Sequence, residues 1–152
     1  MQLVPRLKKP QLPLAAYADG AFKLYGLDVG LLAAQSQLDA ATLLEGHRIF
    51  TEFKGALTEQ YVLQQLIGRF PLYYWANERG TAEVDFVLQR GQEVVPIEVK
   101  AEENLKAKSL RVYVEQFLKE PGPTAALRFS MANYREQDWL TNVPLYAMEL
   151  IR

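Results

Sequence analysis

The chain has no cysteine and only one histidine, His47, among its 152 residues. Without cysteine it can form neither disulfides nor thiolate metal sites, a composition that agrees with a reducing compartment. A single histidine also leaves no paired-histidine metal site. Any bound metal must therefore rest on oxygen ligands or on that one imidazole.

Long apolar runs and a strong charge of one sign are missing as well. No segment approaches the roughly 18 apolar residues of a membrane span, and the basic segment 1–9 lacks an apolar stretch of signal-peptide length. We therefore expect a cytoplasmic protein without a membrane partner. The formal net charge is −1 and the isoelectric point is about 5.9, which argues against a protein that simply coats DNA. A DNA enzyme stays compatible, because the carboxylates of a metal site can offset a local basic rim.

The remaining composition is that of an ordinary folded domain, with 49% hydrophobic and 23% charged residues. A chain of this length fits one domain. Residues 1–21 contain Pro5, Pro10, Pro13 and Gly20, a pattern that predicts an irregular N-terminal arm left from a longer protein. We expect residues 22–152 to form the domain itself.

Hydrophobic periodicity predicts the elements of that domain. Apolar residues recur with helical spacing from about 50 to 67 and from 105 to 118, and a short helix is expected at 39–45. Alternating or aromatic segments predict strands, with 90–93 turning a hairpin, at 22–28, 72–75, 83–89, 94–99, 124–129 and 144–150. This order predicts an α/β or α+β fold in which helices flank a mixed central β-sheet.

Three charged residues stand on the predicted hairpin. Glu98 and Lys100 are two apart on one strand, so their side chains leave on the same face. With a two-residue loop, Asp85 of the partner strand would oppose Pro96, and with a four-residue loop, 90–93, it would oppose Glu98. Either register places Asp85 on the face of Glu98 and Lys100. A loop of odd length without a bulge would place it on the other face. The pattern therefore favours two carboxylates and one amine at a common point.

Two neighbouring carboxylates repel unless a cation lies between them. Mg²⁺, or Mn²⁺ in its place, suits such a site, because it prefers carboxylate oxygen and keeps several waters. Such an ion polarises a phosphoryl oxygen and acidifies its own water. Lys100 would orient that water or stabilise transition-state charge, and the Val99 carbonyl would complete the coordination.

The alternative is a solvated edge hairpin with cross-strand ion pairs. Against it stands the apolar character of both strands, 84–88 and 95–99, which is typical of central strands buried on both faces. Charges embedded in such strands need partners or a function.

Asp85 followed by Glu98-Val99-Lys100 resembles the catalytic core of the PD-(D/E)XK nuclease superfamily. Longer strings resemble the C-terminal domain of unknown function found on many prokaryotic AAA+ ATPases, namely 22–31, 55–62, 73–75, 83–87 and 96–100. The resemblance implies a restriction-endonuclease-like fold, a metal-dependent site for DNA phosphodiester hydrolysis, and Glu59 as a third metal ligand on a helix. A solvated or capping glutamate is the alternative for Glu59.

The resemblance also implies an ATPase module and a winged-helix segment beside this domain. Neither is found in the sequence, which has no Gly-rich loop ending in Gly-Lys-Ser/Thr. An AAA+ ATPase is therefore the expected partner of the family, and this chain is expected to be a detached C-terminal part.

A basic segment follows the motif strand. Lys106, Lys108 and Arg111 begin the second long helix and are candidates for phosphate contacts at a DNA-facing rim, with a solvated helix face as the alternative. The aromatic segment 73–75 is expected to be a buried strand, although aromatic side chains can also stack on bases.

Two functions follow from these patterns. The first is a Mg²⁺-dependent deoxyribonuclease in which Asp85, Glu98, Lys100 and Glu59 are catalytic. The second is a non-catalytic module that keeps a nuclease-like fold and binds nucleic acid or a protein partner for an ATPase. Metal binding by the acidic residues distinguishes the two.

Overall fold

An eight-stranded mixed sheet forms the centre of the molecule, which we describe from a computed structural model. The structure describes residues 1–37, 48–102, 106–122 and 125–151, and the side chains of these residues except at 48–52 and 150. The predicted helix at 39–45 and His47 lie outside the described residues. No helix in the described ranges is long and apolar enough to span a membrane.

The strands have these bounds in chain order: β1 Gln2–Leu7, β2 Ala18–Tyr25, β3 Leu72–Ala76, β4 Glu83–Arg90, β5 Glu93–Val99, β6 Ala126–Ser130, β7 Arg135–Gln137 and β8 Leu140–Pro144. Their order across the sheet is β2-β1-β3-β4-β5-β6-β8-β7. The α-helices of the described ranges are α1 Val29–Gln35, α2 Arg48–Leu66 and α3 Lys108–Phe117, with 3₁₀ helices at Leu14–Tyr17 and Leu145–Leu150. The predicted mixed sheet with flanking helices is confirmed.

Helices cover both faces of the sheet. Leu63 and Leu66 of α2 belong to one buried cluster with Phe86 and Ile97 of the central strands. On the opposite face, Leu110 and Tyr113 of α3 pack with Trp75 and Val87. The Trp75 and Tyr113 rings are arranged edge to face, with their centroids 5.4 Å apart. Strands β4 and β5 therefore lie between two apolar layers, as their sequences predict.

The antiparallel hairpin of β4 and β5 has the second of the two registers that the sequence left open, although its turn has two unpaired residues, 91–92, rather than four. Its pairs run from Arg90 opposite Glu93 to Phe86 opposite Ile97, and the chain reverses at Gly91, whose φ is +61°. Glycine adopts this left-handed conformation without the steric cost that other residues meet there. Continued by one residue, this register would place Asp85 opposite Glu98.

The predicted irregular N-terminal arm is wrong. Residues 2–7 form β1, which pairs antiparallel with β2 and parallel with β3. Pro5 is tolerated because the pairing with β3 begins only at Arg6, so no N–H is needed from the proline on that side. Val4 and Leu7 are fully buried. The first strands thus belong to the domain rather than preceding it.

The strand predicted at 144–150 is also wrong. Pro144 ends β8, and residues 145–150 form a 3₁₀ helix instead. The strand that pairs with β6 contains Thr141 and Asn142, which are buried although polar. Because these two residues are polar, the apolar alternation used to predict strands did not indicate β8.

Replacing Phe86 by alanine tests whether the centre of the sheet carries the stability. The side chain is fully buried, and the centroid of its ring lies 5.8 Å from that of the Tyr25 ring. We therefore expect Phe86→Ala to lower the free energy of unfolding by about 3–5 kcal/mol. Phe22→Ala, at a side chain that is 57% exposed, should change it by less than about 1 kcal/mol. Urea denaturation measures both; equal effects would contradict this assignment of the core.

Candidate functional site

Asp85 lies where β4 and β5 separate. The pairing of β4 with β3 shifts by one residue between Val87 and Val84, so β4 carries a bulge at this point. Bulges redirect side chains and interrupt regular pairing. Here the Asp85 carboxylate, rather than a β4 carbonyl, accepts the Val99 N–H at 2.7 Å. The carboxylate is thereby held against the β5 backbone, one residue from Glu98.

Glu98 is a buried carboxylate at the centre of the sheet. It alternates with Ile97 and Val99, which pack beneath α2, so its side chain leaves toward the α3 side. Only 4% of the residue is exposed. Its Oε1 pairs with Lys100 Nζ at 2.6 Å, whereas its buried Oε2 has no hydrogen-bond partner among the residues that the structure describes. The predicted neighbourhood of Glu98 and Lys100 is therefore present, and one oxygen of the pair remains unsatisfied.

A second cation lies beside this pair on the next strand. Arg128 of β6 stands in register with Glu98, is buried, and donates from Nε to Asn142 Oδ1 at 2.9 Å. Burial lowers the pKa of Arg128 and the Glu98 charge opposes that effect. Asn142 also accepts the Ser130 hydroxyl at 2.7 Å. Several polar side chains thus form a buried network on the α3 side of β5, β6 and β8.

Glu59 lies on α2, on the other side of the sheet from Glu98, and has its own partners. Tyr25 donates its hydroxyl to Glu59 Oε2 at 3.1 Å, and Lys23 Nζ lies 3.9 Å from the same oxygen. Lys23 also forms an ion pair with Glu83. Burial opposes the charge of Lys23, but these carboxylates raise its pKa above the ordinary value.

Backbone anchoring explains why Glu59 and Tyr25 meet. The buried side chain of Gln60 accepts the Gly26 N–H at 2.9 Å and donates to the Gly26 carbonyl at 3.2 Å. Gln64 accepts the Val29 N–H at 2.8 Å. The turn after β2 is therefore fixed to α2 next to Glu59.

Asp85 interacts electrostatically with Glu59 on one side of the sheet and with Glu98 on the other. Burial raises the pKa of its carboxyl to about 7; the charges of Glu59 and Glu98 act in the same direction, whereas the Val99 N–H and Lys23 act against it. Burial and the neighbouring Glu59 also raise the pKa of Tyr25. A carboxyl with such a pKa gains a proton easily near neutrality, and a cation nearby would favour its ionised form.

Glu98 and Asp85 offer carboxylate oxygens that suit a hard cation, but they are only two ligands. The buried Oε2 of Glu98 has no hydrogen-bond partner in the described ranges, and the Asp85 carboxylate is fixed beside the same strand. Across the side chains that the structure describes, however, no three or more aspartate, glutamate or histidine groups are placed to hold a metal together. A cation here would rest on two carboxylates and water, which is a coordination that Mg²⁺ takes in proteins. Roles for Glu59 and the Val99 carbonyl as ligands stay predictions.

The basic residues predicted to form a rim do lie together. Lys106, Lys108 and Arg111 line one cavity at the start of α3, and Arg128 forms part of the same wall. Tyr73 to Trp75 lie within β3, and Tyr74 and Trp75 are buried, as expected. The basic rim and the buried network therefore adjoin at Arg128.

Sequence reasoning missed Lys23, Tyr25 and Arg128. Lys23 and Tyr25 are two apart on β2, so their shared face could have been noticed. Arg128 interrupts an otherwise apolar strand, a signal of the same kind as Glu98 on β5. Their closeness to Glu59 and Glu98 depends on which strands are neighbours, which local patterns do not specify.

The fold and site define an α/β domain with a buried acidic and basic cluster at the centre of a mixed sheet. Residues 54–148, more than half of the chain, match the family model described as a domain of unknown function, DUF4143. The chain therefore belongs to the DUF4143 family. No curated protein and no solved structure matches it.

The raised pKa of Asp85 predicts how stability changes with pH in the absence of metal. An unfolded aspartate ionises near pH 4, whereas the folded group keeps its proton to about pH 7. Stability should therefore fall as pH rises through this window and stay constant above it. Asp85→Asn should abolish that loss, for a relative gain at pH 8 of at least about 1 kcal/mol, or about 2–4 °C in Tm.

Thermal melts in EDTA at pH 5, 6, 7 and 8 measure this effect. Glu115→Gln, at an exposed residue of α3, serves as the control and should keep the wild-type pH dependence. Parallel pH profiles for Asp85→Asn and the wild type would show that Asp85 ionises normally in the folded protein.

Proposed function

We propose that this chain is a metal-dependent, nuclease-like domain that hydrolyses DNA phosphodiester bonds and belongs to the PD-(D/E)XK type. Asp85 and Glu98 hold Mg²⁺ or Mn²⁺, and Lys100 acts at the attacking water. Glu59, on the other side of the sheet from Glu98, assists through Asp85, whose pKa its charge raises together with burial. The domain serves an AAA+ ATPase, as its sequence resemblance to the C-terminal domains of such ATPases implies. The observation that carries the proposal is the buried Oε2 of Glu98, for which the described part of the chain provides no hydrogen-bond partner.

The unsatisfied oxygen supports a cation site for an energetic reason. A buried ionised oxygen without a hydrogen bond is costly, and native proteins rarely keep one without a partner. Lys100 satisfies only the other oxygen of this carboxylate. A divalent cation between Glu98 and Asp85 would satisfy the remaining oxygen and remove the repulsion between the two carboxylates.

The position of Lys100 supports its role beside the reacting water. Its side chain is 36% exposed and that of Glu98 is 5% exposed, so the ammonium lies where the buried carboxylate meets solvent. From there it can orient a water molecule and stabilise negative charge that develops on a phosphoryl group. When bound, the metal would supply a polarised phosphoryl oxygen and a more acidic water.

The rival function is a binding module without catalysis, and two observations favour it. Lys100 already neutralises one Glu98 oxygen, and Lys23 and Tyr25 already satisfy Glu59. A cluster that is neutralised by its own lysines needs no metal for folding. Metal binding therefore separates the two functions before any test of cleavage.

Calorimetric titration with Mn²⁺ tests the metal site. We expect the wild type to bind Mn²⁺ and Glu98→Gln to lose at least tenfold in affinity, since the amide keeps the shape but not the charge. Glu93→Gln, at a glutamate on the same strand whose side chain is 70% exposed, should bind like the wild type. Absence of binding by the wild type, or equal binding by Glu98→Gln, would favour the non-catalytic module; circular dichroism establishes that each variant is folded.

Lys100→Ala separates metal binding from chemistry. The variant should keep its Mn²⁺ affinity or bind more tightly, because the ammonium no longer pairs with Glu98. Its cleavage of plasmid, single-stranded or branched DNA should fall by about 10²–10⁴-fold, as for loss of a group that assists proton transfer. Undiminished cleavage by Lys100→Ala would point to a contaminating nuclease.

A further inference from the structure

A cavity of about 430 Å³ lies between the start of α3 and the β7–β8 hairpin. Six of its lining residues are charged or aromatic: Lys106, Lys108, Arg111, Arg128, Asp138 and Trp139. Four of these are cationic and one is a carboxylate. The cavity is therefore electropositive in a protein whose formal net charge is −1.

The helix end in this cavity strengthens its affinity for anions. Ala107, at the N-cap of α3, supplies no side-chain hydrogen bond, and the first turn contains no acidic residue. Backbone N–H groups at a helix N-terminus lack intrahelical partners and carry partial positive charge. Lys108 and Arg111 add full positive charges at the same end, which is unfavourable unless an anion is nearby. A phosphate group is the anion that such an arrangement binds best.

An aromatic wall makes this cavity more than a phosphate site. Trp139 is half-buried, packs against the apolar layer beneath α3 and also lines the cavity. Base stacking on aromatic side chains beside a cationic groove is how single-stranded nucleic acid is bound without sequence preference. The volume is that of a small-molecule pocket, so it suits one extruded or unpaired nucleotide rather than a duplex.

The cavity shares a wall with the candidate site. Arg128 lines it and stands in register with Glu98 on the neighbouring strand. Its guanidinium is fixed by Asn142 at 2.9 Å and Gln137 at 3.3 Å. A nucleotide in the cavity would therefore be held next to Glu98 by a side chain that has little freedom to move.

We propose that this cavity binds one nucleotide of single-stranded DNA. Its phosphate lies at the N-terminus of α3 between Lys108 and Arg111, and its base stacks on Trp139. The fate of the bound strand rests on the proposed nuclease function, but the binding itself requires no metal. An unpaired DNA strand is therefore the substrate class that we infer for the proposed nuclease site.

Tryptophan fluorescence in EDTA tests the proposal on the intact chain. The sequence has two tryptophans, and Trp75 is buried at 2% exposure, so a change on adding oligo(dT) reports on Trp139. We expect quenching by the single strand, at least tenfold weaker binding of a duplex of equal length, and no quenching in Trp139→Phe. Trp139→Leu should weaken binding about tenfold, measured by the anisotropy of a labelled oligonucleotide.

Charge variants test the phosphate contacts. Lys108→Ala combined with Arg111→Ala should weaken oligo(dT) binding at least tenfold and reduce the slope of log affinity against log salt by about 1.4, or about 0.7 for each lost contact. Lys8→Ala combined with Lys9→Ala removes the same charge from exposed residues outside this cavity and should leave affinity and slope nearly unchanged.

Three results would overturn the inference: no quenching, equal affinity for duplex, or equal effects of the two double variants. Displacement of oligo(dT) by millimolar inorganic phosphate alone would reduce the cavity to a simple anion site and would equally overturn it. The proposed function fails separately. Oligonucleotide binding in EDTA together with no Mn²⁺ binding would remove the nuclease and keep the single-strand site, and the converse result would do the opposite.

Discussion

Burial of the Glu98 carboxylate is the constraint on which the site depends. β5 lies between β4 and β6 and beneath helices on both faces, so water cannot solvate this charge freely. The fold supplies Lys100 in contact and Arg128 on the next strand, yet no described residue forms a hydrogen bond with the other Glu98 oxygen. A charge in such a position needs compensation, and sheets do not bury carboxylates for packing alone. This imbalance is the physical reason to expect a ligand at this point.

Asp85 joins two charged groups on opposite sides of the sheet. Glu59, Lys23 and Tyr25 lie on the α2 side, whereas Glu98, Lys100 and Arg128 lie on the α3 side. The bulge in β4 turns the Asp85 carboxylate onto the Val99 N–H between them, and both Glu59 and Glu98 raise its pKa. Asp85 therefore experiences the charges of both Glu59 and Glu98. The cationic cavity at α3 is lined in part by Arg128, which stands in register with Glu98 on the neighbouring strand.

The sequence predicts those parts of this arrangement that depend on local pattern. Alternation placed Glu98 and Lys100 together, whereas the register of β4 and β5 stayed open between two loop lengths until the strand pairing was known. The bulge at Asp85 escaped prediction because it arises from pairing with β3, and β1 escaped because its partner β3 is distant in sequence. Arg128 could not be connected with Glu98 until the parallel pairing of β5 and β6 was known. Non-local strand order, not residue type, limited the prediction.

The most direct test of the central claim is anomalous diffraction from a crystal of the wild-type protein soaked in Mn²⁺ at pH 8. We expect a single strong peak about 2.1 Å from Glu98 Oε2 and from an Asp85 carboxylate oxygen, a metal–oxygen distance typical of such hard cations. A crystal in which no peak lies near Glu98, and in which Oε2 instead bonds to a water molecule or to Arg128, would contradict it.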